Sequence, residues 1–335
     1  MLSRAAEALY WMSRYAERAE NVARFLDVSL QVTLDLPDAH GDPWAGVIAA
    51  TGDEELFAAR HGAATRDAVV RFLTIDAESP NSIFSCLRLA RDNARSIQEA
   101  ISSEMWEQVN KWYLLVRDAA SSGSVLNDPH EFLAAVKEAS HLFVGVTYLT
   151  MTHGEGWHFG RLGRVLERAD QTSRIVDPKQ SLVLARPADV VPSPDEVHLA
   201  ALLRSVSALE MYRKRYGTIE HQKAIEFLVL DKHFPRSIRH CLDKGQESLR
   251  VIAGTPSDGA GTRPERLLGR LAAEYEFGVV EEILAGGLHE QLDGLQSKLN
   301  DVGMAIFETF FARRPDAQVV EAPVAVDAPV VEAPQ

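Results

Sequence analysis

Apolar and small side chains fall at Leu2, Ala5, Leu9, Met12, Ala16, Ala19, Ala23, Leu26 and Leu30. Their alternating three-and-four spacing is the seam of one long helix. The alanine centre of that seam lets a neighbouring helix approach closely. Pro37, Gly41 and Pro43 end the pattern. A helix or pair of helices is expected between Trp44 and Asp76. Ser79 as N-cap and Pro80 at the first helical position then open a helix that meets no further Gly or Pro until about Ala120. The run Ser121-Ser122-Gly123-Ser124 reads as a loop, followed by a helix over about 128–152. After a turn at Gly154 and Gly156, a second helical pattern runs to Asp177 and stops at Pro178.

The segment 182–194, with three prolines, reads as an extended connection in which Ser193 caps the next helix. Further helices are expected over about 194–216, 219–231, 235–252, 264–285 and 288–313, with Gly254, Gly259 and Gly261 in one loop. No stretch alternates as a strand does, so the fold class is all-α. The tail 315–335, built of Pro, Ala, Val and acidic residues without a basic one, cannot bury a core and is expected to be disordered.

The helical pattern is written twice. Glu17-Arg18-Ala19-Glu20, Arg24 and Asp27 recur 150 positions on as Glu167-Arg168-Ala169-Asp170, Arg174 and Asp177, and Arg14 and Arg164 stand three residues ahead of each copy. A second block recurs at an offset of 155: Phe72-Leu73, Asp76, Pro80, Ser82-Ile83, Cys86-Leu87 and Arg95 return as Phe227-Leu228, Asp231, Pro235, Ser237-Ile238, Cys241-Leu242 and Arg250. The expectation is an internally duplicated helical bundle with copies over about 1–153 and 154–314. The copies should form one body about a pseudo-two-fold axis.

At 100° per residue, Arg18 falls in a stripe with Trp11, Tyr15, Val22 and Phe25, and Arg168 in one with Val165, Thr172 and Ile175. A guanidinium among such neighbours needs an acid, since an unpaired buried charge costs roughly 3–5 kcal/mol. Glu138 is one candidate partner for Arg168. Two readings follow for Arg14, Arg18, Glu20, Arg24, Asp27, Arg164, Arg168, Asp170, Arg174 and Asp177. Either they form a buried ion network where the copies meet, or the arginines line a pocket for a carboxylate or phosphate. In the second case Glu17 or Glu167 would be the general base.

The formal charge of −13 and pI near 5.3 oppose nucleic-acid binding, which depends on clustered cations. Cys86 and Cys241, the only cysteines, sit at matching positions in apolar helical stretches and read as small buried side chains of a reducing compartment. No signal peptide and no run near the roughly 18 apolar residues of a membrane span is found. A soluble, cytoplasmic protein is expected, with no membrane and no nucleic acid among its partners.

The pairs Glu138/His141 and Glu155/His158 resemble di-iron ligand spacing. A chain reversal near Gly154 would separate them by about 15–20 Å, so no metal site is expected. His130-Glu131 and His289-Glu290 read as matched helix starts. Without a Gly-x-Ser-x-Gly elbow, a Walker loop or a Gly-x-Gly-x-x-Gly fingerprint, no cofactor is expected either. Trp106, Trp112 and Tyr113, with Met105, Val109 and Val116, form a broad apolar band that is either core or a partner surface.

The opening LSRAAEALYWMSRYAERAENVARFLDV (2–28), ISSEMWEQVNKWY (101–113), EGWHFGRLGRVLERADQTSRIVD (155–177) and EFLVLDKHFPRSIRHCL (226–242) resemble the bacterial alpha-E domain proteins over about 1–314. The chain departs from the family's pattern at Thr152-His153-Gly154-Glu155. The resemblance implies a duplicated all-helical domain of unknown function. Such domains are encoded beside or fused to circularly permuted ATP-grasp-like ligases and often near transglutaminase-like proteins. It points to a non-catalytic partner or substrate-presenting subunit of an amide-ligating system. Two other roles compete with it: an enzyme using the repeated Arg/Glu cluster, and a structural scaffold.

Overall fold

The computed structural model describes residues 1–35, 43–177, 194–256 and 261–312, all helix and connecting turn with no strand among them. Apart from Pro194, the expected connection over 182–194 with its Ser193 cap lies outside the described residues, as do Gly259 and the tail 315–335. The spine is α1 (Ser3–Asp35), 33 residues without a proline or glycine. Three short helices follow, α2 (Pro43–Thr51), α3 (Glu54–His61) and α4 (Arg66–Thr74), where the pattern pointed to one or two. Next come α5 (Ile83–Ser96), α6 (Ser103–Ser122), α7 (Ser124–Asn127), α8 (Pro129–Thr150) and α9 (Glu155–Val176). The chain continues with α10 (Pro194–Ser205), α11 (Leu209–Tyr216), α12 (His221–Leu230), α13 (Ile238–Ala253), α14 (Arg263–Glu276), α15 (Val280–Ala285) and α16 (Leu288–Ile306).

The alanine seam does what its spacing predicts. Leu9, Met12, Ala16, Ala19, Ala23 and Leu26 are buried, and α1 packs along α9. From the other side Gly163 lies against the Tyr10 carbonyl, so close that a methyl group there would collide with backbone. α5 and α8 pack on α1 with α6 behind them, while α13 and α16 pack on α9 with α14 behind them. Burial runs continuously through both groups, with Cys86, Cys241, Phe72 and Trp112 among the inaccessible side chains. Among the described residues no helix is long and apolar enough to cross a membrane.

Serine caps account for some of the differences from the expected boundaries. The single helix expected over 80–120 is two. Ser82, not Ser79, caps α5 by accepting from the Ser85 amide at 3.1 Å, and Ser102 caps α6 by accepting from Met105 at 3.1 Å. Between the two helices lies a short 3-10 turn, Gln98–Ala100. Ser237 caps α13 in the same way, accepting from His240 at 3.1 Å. The helix expected over 194–216 breaks at Ser207, whose φ of +52° takes the backbone out of the helical region. The one expected over 264–285 breaks at Gly278, packed against the Glu274 carbonyl, and α16 ends in a π turn at Phe307–Phe311.

Candidate functional site

Because α1 and α9 meet at small residues, the long charged side chains flanking the seam reach across to the other helix. Glu167, fully buried, accepts from Arg14 Nε at 2.8 Å and from Arg18 Nε and Nη2 at 2.6 and 3.1 Å. In the reverse direction Glu17, also buried, accepts from Arg168 Nε and Nη2 at 2.7 and 2.8 Å. The Arg18 and Arg168 contacts are two-pronged guanidinium–carboxylate pairs, the strongest neutral-pH hydrogen bonds available to these groups. The acid for Arg168 is thus Glu17, and Glu138 does not take that place.

The turns that precede α5 and α13 close the network. Asn81 accepts from Arg18 Nη1 at 2.7 Å and donates to Asp53 at 2.9 Å. Arg236, which holds the matching place 155 residues on, donates to Glu17 at 3.2 Å, to Asn21 at 2.7 Å and to Glu20 at 2.7 Å. Arg24 pairs with Glu20 one turn back and reaches Ser207, and Arg174 pairs with Asp170 at 3.0 Å. Asp27, two turns before the end of α1, receives Lys137 at 2.6 Å and His130 at 2.7 Å, while Asp177 at the end of α9 receives His289 at 2.8 Å. The two histidines read as helix starts therefore tie α1 to α8 and the end of α9 to α16. For the Arg164 guanidinium, no hydrogen bond or ion pair is found among the described residues.

The charges decide what this arrangement can do. Burial alone would raise the Glu17 carboxyl, but the Arg168 and Arg236 guanidiniums overcome it and hold the group at about 2. Glu167 is likewise pushed up by burial and pulled down further by Arg18 and Arg14, to about 2. A carboxylate so acidic is a poor proton acceptor at neutral pH. Burial lowers Arg24 to about 9, with Arg236 adding to the effect, and lowers Arg164 and Arg236 to about 10. All three still carry their charge at pH 7. The cysteine thiols are pushed up by burial to about 12 and are not nucleophiles.

The network contains the charged residues of both signature copies except Arg164, leaves out Glu138, and adds Arg236, Asn81 and Lys137, with His130 and His289 drawn in from their helix starts. Arg236 had a visible signal, since it stands between Pro235 and Ser237 of the second repeated block. The aromatic band divides. Trp112 is buried with Met105, Val109 and Val116, whereas Trp106 and Tyr113 stay partly exposed with Arg91 lying over both rings at 5.8 and 5.0 Å. Among the described residues no three His, Cys, Asp or Glu side chains are grouped as metal ligands would be.

The Glu-Arg pairs at 17–18 and 167–168 are thus the centre of the helix interface. A family profile described as a predicted alpha-helical domain with a conserved ER motif matches residues 1–311. The chain belongs to the Alpha-E family. Uncharacterized proteins of Mycobacterium bovis and Mycobacterium tuberculosis are 24% identical to it over 330 residues, covering 91% of this chain and 36% of theirs. The Alpha-E chain therefore spans about a third of the length of these relatives. No solved structure matches it.

Proposed function

We propose that this Alpha-E protein is a non-catalytic helical partner or substrate-presenting subunit of an ATP-grasp-type amide ligase system in the cytoplasm. The observation that carries the non-catalytic half is the pairing of Glu17 and Glu167. Each is buried and held ionised by two guanidiniums, so neither is basic enough to take a proton from a substrate at neutral pH. The ligase as partner, with a transglutaminase-like protein as a second one, follows from the family resemblance. The reciprocal Arg18–Glu167 and Arg168–Glu17 pairs also support an internal duplication whose copies meet about a pseudo-two-fold axis.

The test is thermal unfolding of the wild type, Glu17→Gln and Glu167→Gln, each alone and with the ATP-grasp-like protein encoded nearest to it. The proposal expects both variants to lose several degrees and still to be stabilised by the ligase. Variants that keep full stability while a reconstituted ligation reaction stops would place a catalytic site at the signature and overturn it.

A further inference from the structure

Beyond the network, the second repeated block builds a feature that the first does not. Asp76 and Asp231 begin equivalent turns. Asp76 accepts from the Glu78 amide at 2.9 Å, and Asp231 accepts from the His233 and Phe234 amides, both at 2.7 Å. Each aspartate also pairs with an arginine from an earlier helix, Arg60 in one case and Arg215 in the other. In the first block the turn closes on itself, because Glu78 takes the Arg60 guanidinium at 2.8 Å. In the second, the positions of Ala77, Glu78, Phe84 and Arg71 are held by Lys232, His233, Arg239 and Glu226. These four side chains line a pocket of about 450 Å³ together with Arg215 and Tyr216.

Unlike the charges of the α1–α9 interface, these are uncommitted. Among the described residues the Lys232 amine, the His233 ring and the Glu226 carboxylate make no hydrogen bond or ion pair. Arg239 meets Asp243 and Glu276 only at 3.9 Å, and its Nε is buried without a hydrogen-bond partner. A turn that folds without these charges in one block does not need them for folding in the other. The lining mixes signs. Cations from Lys232, Arg239 and Arg215 face a pocket that also holds Glu226 and Asp231, a composition that offers both signs of charge and suits a ligand carrying one negative and one positive group. The volume falls in the range of small-ligand sites, about 300–1,000 Å³.

We propose that this pocket binds the end of a short zwitterionic peptide, its carboxylate on Lys232 and Arg239 and its ammonium on Glu226. The proposal deepens the substrate-presenting reading and rests on it only for choosing a peptide over a free amino acid.

The test is isothermal titration of the full chain, without any ligase, with the dipeptide Ala-Ala, its C-terminal amide, its N-acetyl form and inorganic phosphate. Ala-Ala is expected to bind one to one and to lose about tenfold or more in affinity on amidation, as the loss of a charge-assisted hydrogen bond requires. Lys232→Ala, at an exposed position, should weaken Ala-Ala to a similar degree with the unfolding temperature unchanged, and Lys232→Arg should restore it. Glu226→Gln should weaken Ala-Ala but not N-acetyl-Ala-Ala. Equal binding of acid and amide, tighter binding of phosphate, or no saturable heat up to about 10 mM, a free energy too small for a built site, each overturn the proposal. Because the ligase is absent, failure here with ligase stabilisation intact sinks the pocket alone. Dipeptide binding without ligase stabilisation sinks the partner reading alone.

Discussion

Glu167→Gln changes one oxygen to an amide nitrogen inside the α1–α9 interface and leaves shape nearly untouched. It removes the only carboxylate within hydrogen-bond reach of Arg14 among the described residues, and the carboxylate that Arg18 grips with two nitrogens. Two guanidiniums then lose their hydrogen-bonded countercharge, a situation that costs about 3–5 kcal/mol for a buried pair. The pull of the carboxyl from 4.5 to about 2 gives a similar figure, about 3 kcal/mol. At about 2 °C per kcal/mol for a chain of this size, the midpoint should fall by about 6–10 °C. The assay is differential scanning calorimetry at pH 7, with the double variant Glu167→Gln/Arg18→Gln beside it. Removing the stranded cation should recover part of the loss. A midpoint within about 1 °C of wild type, a change worth well under 1 kcal/mol, would refute the claim that this pair holds the two helices together.

Glu17→Gln should cost less than Glu167→Gln, because Arg236 keeps Glu20 and Asn21 as acceptors, and calorimetry of both variants under one condition checks the order. Urea midpoints followed down in pH test the same carboxylates. Both have folded values depressed from 4.5 to about 2, so their contribution is complete above pH 4.5 and is lost as pH falls toward 2. Glu167→Gln should flatten that fall, and an unchanged slope would count against the assignment. Gly163→Ala should unfold the protein or reduce its folded yield sharply, since the new methyl meets the Tyr10 carbonyl. Gly160→Ala, whose methyl meets the movable Ser13 hydroxyl at 3.0 Å and the Leu9 carbonyl at an ordinary 3.8 Å, should be tolerated, as circular dichroism melts would show. Cys86 and Cys241 should resist a thiol reagent in native buffer and both react in denaturant, which a colorimetric thiol count can read.

Helix existence was legible because it depends on periodicity, which a chain carries in its own spacing. The seam from Leu2 to Leu30 became α1, and the repeated signature became α9. Boundaries were less legible. Ser79 looked like the cap because Pro80 follows it, but Pro80 lies in the turn. The residue that takes up extended backbone and faces a free amide is Ser82. The break at Ser207 left no glycine or proline to mark it. For the charged cluster, the requirement for a buried acid beside Arg18 and Arg168 could be argued from their apolar neighbours. Which acid could not, because a helical wheel orders residues within one helix. Glu17 and Glu167 serve the opposite helix, about 150 residues away in sequence. Arg236 escaped for the same reason, since its partners Glu17, Glu20 and Asn21 lie more than 200 positions earlier.

The exchange of arginines between α1 and α9 has a consequence for the chain as a polymer. Each half donates the cations that neutralise the other's glutamate, so each is the other's missing counterion. Cut within Thr152-His153-Gly154, at the tip between α8 and α9, the halves would each expose an apolar seam and strand a carboxylate and its opposing guanidiniums in separate molecules. Neither fragment should hold its shape alone. Mixed together, they should reassemble one to one, a split-protein pair whose recognition code is the Glu-Arg dipeptide itself.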